Sequence, residues 1–195
     1  MSRSEQLPLP YSVAARGVAR CIVDSVRLLS SGRVHLPDSH VGQKLRFADG
    51  TTGRVYRETV VDVAAVQDPC VLVVVFRLRL VRGVLHTLFR LESLLNTPLF
   101  VGFPGFVSKL WVAHDGNSVY RGVYQWDGPS RAQHYARCLW RVLALVSARG
   151  SIGHAIVPGV TRDDLLADPA VLDRTPALAI PDWARLVEVE DRPGA

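Results

Sequence analysis

Pro104-Gly105-Phe106-Val107-Ser108-Lys109-Leu110-Trp111 and, nine residues further on, Tyr120-Arg121-Gly122-Val123-Tyr124-Gln125-Trp126-Asp127 decide the fold of this chain. Both runs are rich in β-branched and aromatic residues. Asp115-Gly116-Asn117 between them is a turn signal, so Phe106 to Ala113 and Val119 to Trp126 are expected to form a hairpin. Directly behind it, Pro129 stands where a first helical residue should, after Asp127-Gly128. The helix it opens is expected to run to about Ala148 and stop at Gly150. Ala132, Tyr135, Ala136, Leu139, Leu143 and Val146 would face inward; Arg131, His134, Arg137 and Arg141 would face out. Working backwards from the hairpin, Thr97 to Gly105 is an apolar loop punctuated by Pro98, Gly102 and Pro104. Before it, Val84 to Asn96 carries Val84, Leu88, Leu91 and Leu95 on one helical face. Cys70 to Leu80 reads as a buried strand. With Ile152 to Val157 as a last short strand, the order from residue 70 is β-α-β-β-α-β. This is the ferredoxin-like α+β arrangement.

The ends add to this core. Residues 1–10 read as a tail, and Ser12 as the N-cap of a helix over 13–30. The expected buried stripe of that helix is Ala15, Val18, Ala19, Ile22, Val23, Val26 and Leu29. Residues 31–42 read as a loop. Lys44 to Phe47 and Arg54 to Val61 are expected to be strands around the turn Asp49-Gly50. After Val160 come a short helix near Asp163–Ala167 and a Pro-containing acidic tail. The expected division is therefore an N-terminal helix-and-hairpin extension over 1–65, a ferredoxin-like domain over 66–160 and an acidic tail over 161–195.

A chain of 195 residues, 48% hydrophobic and 21% charged, is globular in composition and long enough to bury a core. The net charge of +5 is unevenly spread: residues 161–195 hold four Arg against eight Asp/Glu, and the rest of the chain is basic. Only Lys44 and Lys109 are lysines; every other basic residue is Arg. The basic residues form no run, which argues against a nucleic-acid partner. The longest apolar run, Val71 to Phe76, is far too short to span a bilayer, and no leader-like stretch follows Met1. Cys21, Cys70 and Cys138 have no metal-ligand or redox-motif spacing and read as buried thiols of a reducing, cytoplasmic setting. Phosphate loops, serine-hydrolase elbows and zinc-protease motifs are absent.

Pro104-Gly105-Phe106, Ser108-Lys109, Trp111, Gly122-Val123-Tyr124 and Trp126 resemble the signature of the small-monooxygenase branch of the dimeric α+β-barrel superfamily, the antibiotic-biosynthesis-monooxygenase-like proteins. The resemblance covers about residues 70–158. It implies a homodimer whose two sheets form a barrel. It also implies oxidation of an aromatic or quinol-type small molecule by O2 with no cofactor. Binding without turnover of a hydrophobic ligand or partner protein, and haem binding with His86 or His134 as axial ligand, are alternatives found in the same superfamily. The N-terminal extension and acidic tail depart from its pattern.

Cofactor-free oxygenation needs a substrate acidic enough to become an electron-rich anion, a base to make that anion, and donors to hold it. Trp111, Tyr124, Trp126, His86 and His134 are the catalytic candidates on that basis. Asn96, Phe106 and Arg121 are the candidates for substrate binding. Each has a plainer role as well. Trp111 and Trp126 suit core or interface packing. Tyr124 shares one strand face with Gly122 and Trp126, a face that either lines a cavity or fills it. His134 sits on the arginine-bearing side of its helix, and His86 beside an apolar stripe.

Overall fold

The structure, a computed structural model, describes residues 8–77, 97–114, 119–174 and 180–191. Eight strands form one sheet: β1 (Val34–His35), β2 (Lys44–Phe47), β3 (Thr52–Val61), β4 (Pro69–Arg77), β5 (Phe106–His114), β6 (Val119–Asp127), β7 (Gly153–Pro158) and β8 (Leu186–Glu190). Among the described residues three helices accompany them: α1 (Tyr11–Ser30), α2 (Pro129–Val146) and α3 (Arg162–Ala167), with 3-10 turns at Thr97–Leu99 and Pro169–Leu172. The strand order is β7-β4-β6-β5-β3-β2-β8, with β1 on β3, and every pairing is antiparallel. The four strands at one end, β7-β4-β6-β5, have the ferredoxin-like order, and the sheet continues past β5 into the N-terminal hairpin and then the C-terminal strand. The expected helix over Val84–Asn96 and the turn at Asp115-Gly116-Asn117 lie outside the described residues.

The sequence of β4 is almost continuously apolar because both of its faces are covered. Cys70, Leu72 and Val74 enter the cluster beneath the helices, with Trp111, Tyr124, Trp126 and Tyr135. Val71 and Val73 enter a second cluster on the far face, with Leu110, Val112 and Val123. The residues that close this far face come from the end of the chain: Leu165 and Leu166 of α3, Leu172, Ala184 and Leu186. Thr161 starts α3 by accepting the Asp164 amide at 3.1 Å. The acidic tail thus packs and pairs. β8 lies antiparallel to β2, where Glu190 meets Lys44 at 3.2 Å and Glu188 meets Arg46. The opposed charges of the two chain ends are a cross-strand register.

Two expectations about α1 are corrected. The helix begins at Tyr11 behind Pro10, and no side chain caps it, so Ser12 is inside the first turn. Its buried face is Ala14, Cys21 and Ser25, whereas Ile22, Val23, Val26 and Leu29 remain 38–56% exposed. Close approach decides this. Ser25 Oγ donates to the Pro98 carbonyl at 2.8 Å and accepts the Gly102 amide at 2.9 Å. A Cβ on Gly102 would stand 2.2 Å from the Cys21 carbonyl oxygen. Small polar residues win the interface because the loop backbone must reach the helix backbone. On α2 the expected inward set holds for Ala132, Tyr135, Ala136 and Leu139, while Val146 is 47% exposed. All three cysteines are buried free thiols.

Candidate functional site

Lys109 is the anomaly of the core. Its strand alternates, so Lys109 and Trp111 share the helix-facing side of β5. Lys109 is 6% exposed, and its Nζ lies 3.1 Å from the centre of the Trp111 ring, 4.5 Å from that of Phe100 and 4.8 Å from that of Tyr124. Among the described residues no carboxylate pairs with it and no oxygen accepts from it. Burial drives its pKa well below the ordinary lysine range, and the nearby Arg57 guanidinium pushes in the same direction. Among the described residues an ammonium here would meet ring faces and the Arg57 guanidinium. Burial shifts the balance towards the neutral amine relative to a solvated lysine, and a neutral amine is a base.

Arg57 arrives by a bulge. The register between β3 and β5 shifts between Val55 and Arg57, so Arg57 aligns with Trp111, and Tyr56 and Arg57 both contact the Trp111 ring. The Arg57 carbon Cζ is 5.0 Å from that ring centre, and Nη2 donates to Thr97 Oγ1 at 2.6 Å. Trp111 Nε1 donates to Thr59 Oγ1 at 3.1 Å. Across the next pairing, Tyr124 lies opposite Lys109. Its hydroxyl accepts from the Tyr135 hydroxyl at 3.1 Å, and burial raises the pKa of both phenols. Gly122 makes this possible. The Tyr124 ring folds back over it, with a ring carbon 2.5 Å from where a Cβ would sit. The Gly-Val-Tyr triplet therefore has a steric reason.

The result is a buried wall of side chains that holds the Lys109 amine, the Arg57 guanidinium, two phenol hydroxyls and three aromatic faces. The one buried carboxylate nearby in sequence, Glu58, points to the far face, where it pairs with Arg162 at 2.7 Å and His40 at 2.8 Å. Chemically, such a wall can take a proton from an acidic hydroxyl and hold the resulting anion beside a guanidinium in a low-dielectric setting.

The residues expected from the sequence divide accordingly. Trp111 and Tyr124 belong to the cluster. Trp126 is wholly buried beside it, 4.8 Å from the Tyr135 ring centre, and its Nε1 has no hydrogen-bond partner among the described residues. Phe106 packs edge-on to Phe100 at 5.3 Å and Trp126 at 5.6 Å, as a core residue. Arg121 is on the opposite face of the sheet, over the Phe47 ring at 4.3 Å. His134 is exposed on α2, with Nε2 3.4 Å from Cys138 Sγ, beside a hollow of about 170 Å³ lined by Phe103, Pro104, Ser130 and Arg131. His86 and Asn96 lie outside the described residues. Among the described residues no cluster of His, Cys, Asp and Glu could hold a metal ion.

Lys109 and Arg57 were missed as site residues by reading the sequence. Lys109 had a signal: one lysine alternating with aromatics in an otherwise apolar strand. Arg57 had none, because simple alternation puts it on the face of Val55, and only the bulge turns it over.

No family model matches the sequence, and no curated protein matches it. Some solved structures resemble it distantly. A ferredoxin-fold protein from Listeria monocytogenes related to antibiotic biosynthesis monooxygenases is 14% identical with a TM-score of 0.40, over 56% of this chain and 64% of that one. An anthrone oxidase-like protein is 15% identical with a TM-score of 0.40, over 56% of this chain and 54% of that one. A heme-degrading enzyme from Listeria monocytogenes is 14% identical with a TM-score of 0.41, over 67% of this chain and 90% of that one. The chain spans less than two thirds of the first two. No helix among the described residues is long and apolar enough to cross a membrane.

Proposed function

We propose that the chain is a cofactor-independent monooxygenase-like enzyme for an aromatic or quinol-type small molecule, with Lys109 as its base. The observation that carries this is the Lys109 amine, buried against Trp111, Phe100 and Tyr124 with no counter-ion among the described residues. Lys109 takes the proton of the substrate's phenolic hydroxyl. Arg57 balances the phenolate charge, and Trp111 and Tyr124 flank the ring. A phenolate is electron-rich enough to reduce O2 itself. For a phenol with a free para carbon, the phenol and O2 yield the quinone and one water. One oxygen atom forms the new C=O, the other leaves as water, and all four electrons come from the substrate. Tyr124, a neutral phenol whose hydroxyl accepts from Tyr135 and keeps its own proton, serves as the donor to oxygen.

The protein itself would reside in a reducing compartment, in keeping with three buried thiols. A homodimer would have to use a surface other than the part of the far face that α3, Leu172, Ala184 and Leu186 cover.

The test is uptake of isotopically labelled O2 with 1-naphthol and other phenols with a free para carbon, with the products identified by mass. The reading expects O2 consumption with one labelled oxygen atom in the quinone, and loss of 100-fold or more in Lys109→Met, the range of general-base effects. Equal rates in the two proteins would overturn it.

A further inference from the structure

We propose that the crevice at the end of β4 and β6, on the side away from Lys109, binds a small aromatic carboxylate. The crevice encloses about 440 Å³, the size of an organic ligand site. Its inner wall is Arg121, 4% exposed and fixed in place. Nε donates to the Trp183 carbonyl at 3.1 Å, and Nη2 to Thr51 Oγ1 at 2.6 Å and Asp49 Oδ2 at 3.2 Å. Among the described residues Nη1 has no hydrogen-bond partner, so one arm of a rigid fork is unused. The rim carries Arg77 and Arg149, both exposed and neither paired with a carboxylate among the described residues. Three guanidinium groups against the single Asp49 leave the crevice positive. Trp183, Phe76, Val75 and Val119 supply its apolar lining, beside Thr51 and Ser151. Guanidinium groups select planar carboxylates, and aromatic walls select a flat body.

Arg121 was expected from the sequence as a substrate-binding residue. Its place on the far face assigns it to this second site, so the proposal does not depend on the chemistry at Lys109.

Isothermal titration calorimetry with 2-naphthoate tests it. One molecule should bind per chain, the neutral isostere 2-naphthylmethanol at least tenfold more weakly. The exposed charge reversals Arg149→Glu and Arg77→Glu, checked for unchanged circular dichroism, should each weaken 2-naphthoate binding tenfold or more. Lys109→Met should bind as the parent does. No saturable binding, affinity in Arg149→Glu within twofold of the parent, or binding lost in Lys109→Met and kept in Arg149→Glu would each overturn the assignment.

Discussion

Replacing Lys109 by methionine removes the amine from among the aromatic rings and leaves a side chain of similar length in its place. The consequence is readable in stability against pH. Burial holds the folded-state pKa of Lys109 well below that of the unfolded chain, where a lysine titrates near about 10.4. Between these two values the unfolded chain binds one more proton than the folded protein. Raising the pH therefore stabilises the folded state. The slope is about 1.4 kcal/mol per pH unit for one proton. Methionine has no such term, and the other titrating groups cancel in the difference between the two proteins. From pH 8 to 9.5 the parent should gain about 2 kcal/mol on Lys109→Met. For a protein of this size that is about 4–8 °C in relative Tm. Urea denaturation at four pH values across this range measures it. Two stability curves that run parallel, within about 0.3 kcal/mol over the same range, would mean that Lys109 carries its charge in the folded state. The base assigned to the site would then not exist.

Other residues give independent tests. Arg162→Met strands the Glu58 carboxylate, 2% exposed, with His40 as its remaining partner, and should cost about 3–5 kcal/mol in urea unfolding; a loss under about 1 kcal/mol would contradict the buried pairing. Gly122→Ala sets a methyl group against the Tyr124 ring and should displace it from Tyr135 and Lys109. Its expected signature is a large fall in oxygen uptake at a stability cost of about 1–3 kcal/mol, and unchanged turnover would detach Tyr124 from the site. His154 is buried, with Nε2 at 3.2 Å from Gln133 Oε1, and burial lowers its pKa. The unfolded chain takes up its proton first, so stability should fall as the pH drops from about 6.5 towards the folded pKa. A His154→Gln variant should show a shallower acid limb.

Much of the fold was legible because each element of the core carries a local signal that agrees with its packing. Pro129 behind Gly128, the alternation of β6 and the doubly buried run of β4 all specify what forms there. The face of α1 was not legible. Its apolar stripe is larger than its small-residue stripe, but Gly102 allows the backbone so near that only Cys21 and Ser25 fit. β8 was hidden for another reason: its Leu-Val-Glu-Val-Glu alternation is short, and its partner β2 is more than 140 positions away. At the site, Trp111 and Tyr124 were found because aromatic residues on a strand face stand out. Lys109 was passed over because a lysine is presumed solvated until its strand is known to be covered on both sides. His134 drew attention for its chemistry, and its helix turns it outward.

The central claim is that Lys109 takes a proton from a bound aromatic hydroxyl, and absorption spectroscopy of bound 1-naphthol, at a pH well below the naphthol's own pKa, tests it most directly. Naphtholate bands in the parent protein, replaced by the neutral naphthol spectrum in Lys109→Met at equal occupancy, are the expected result. The neutral spectrum in both proteins would contradict it.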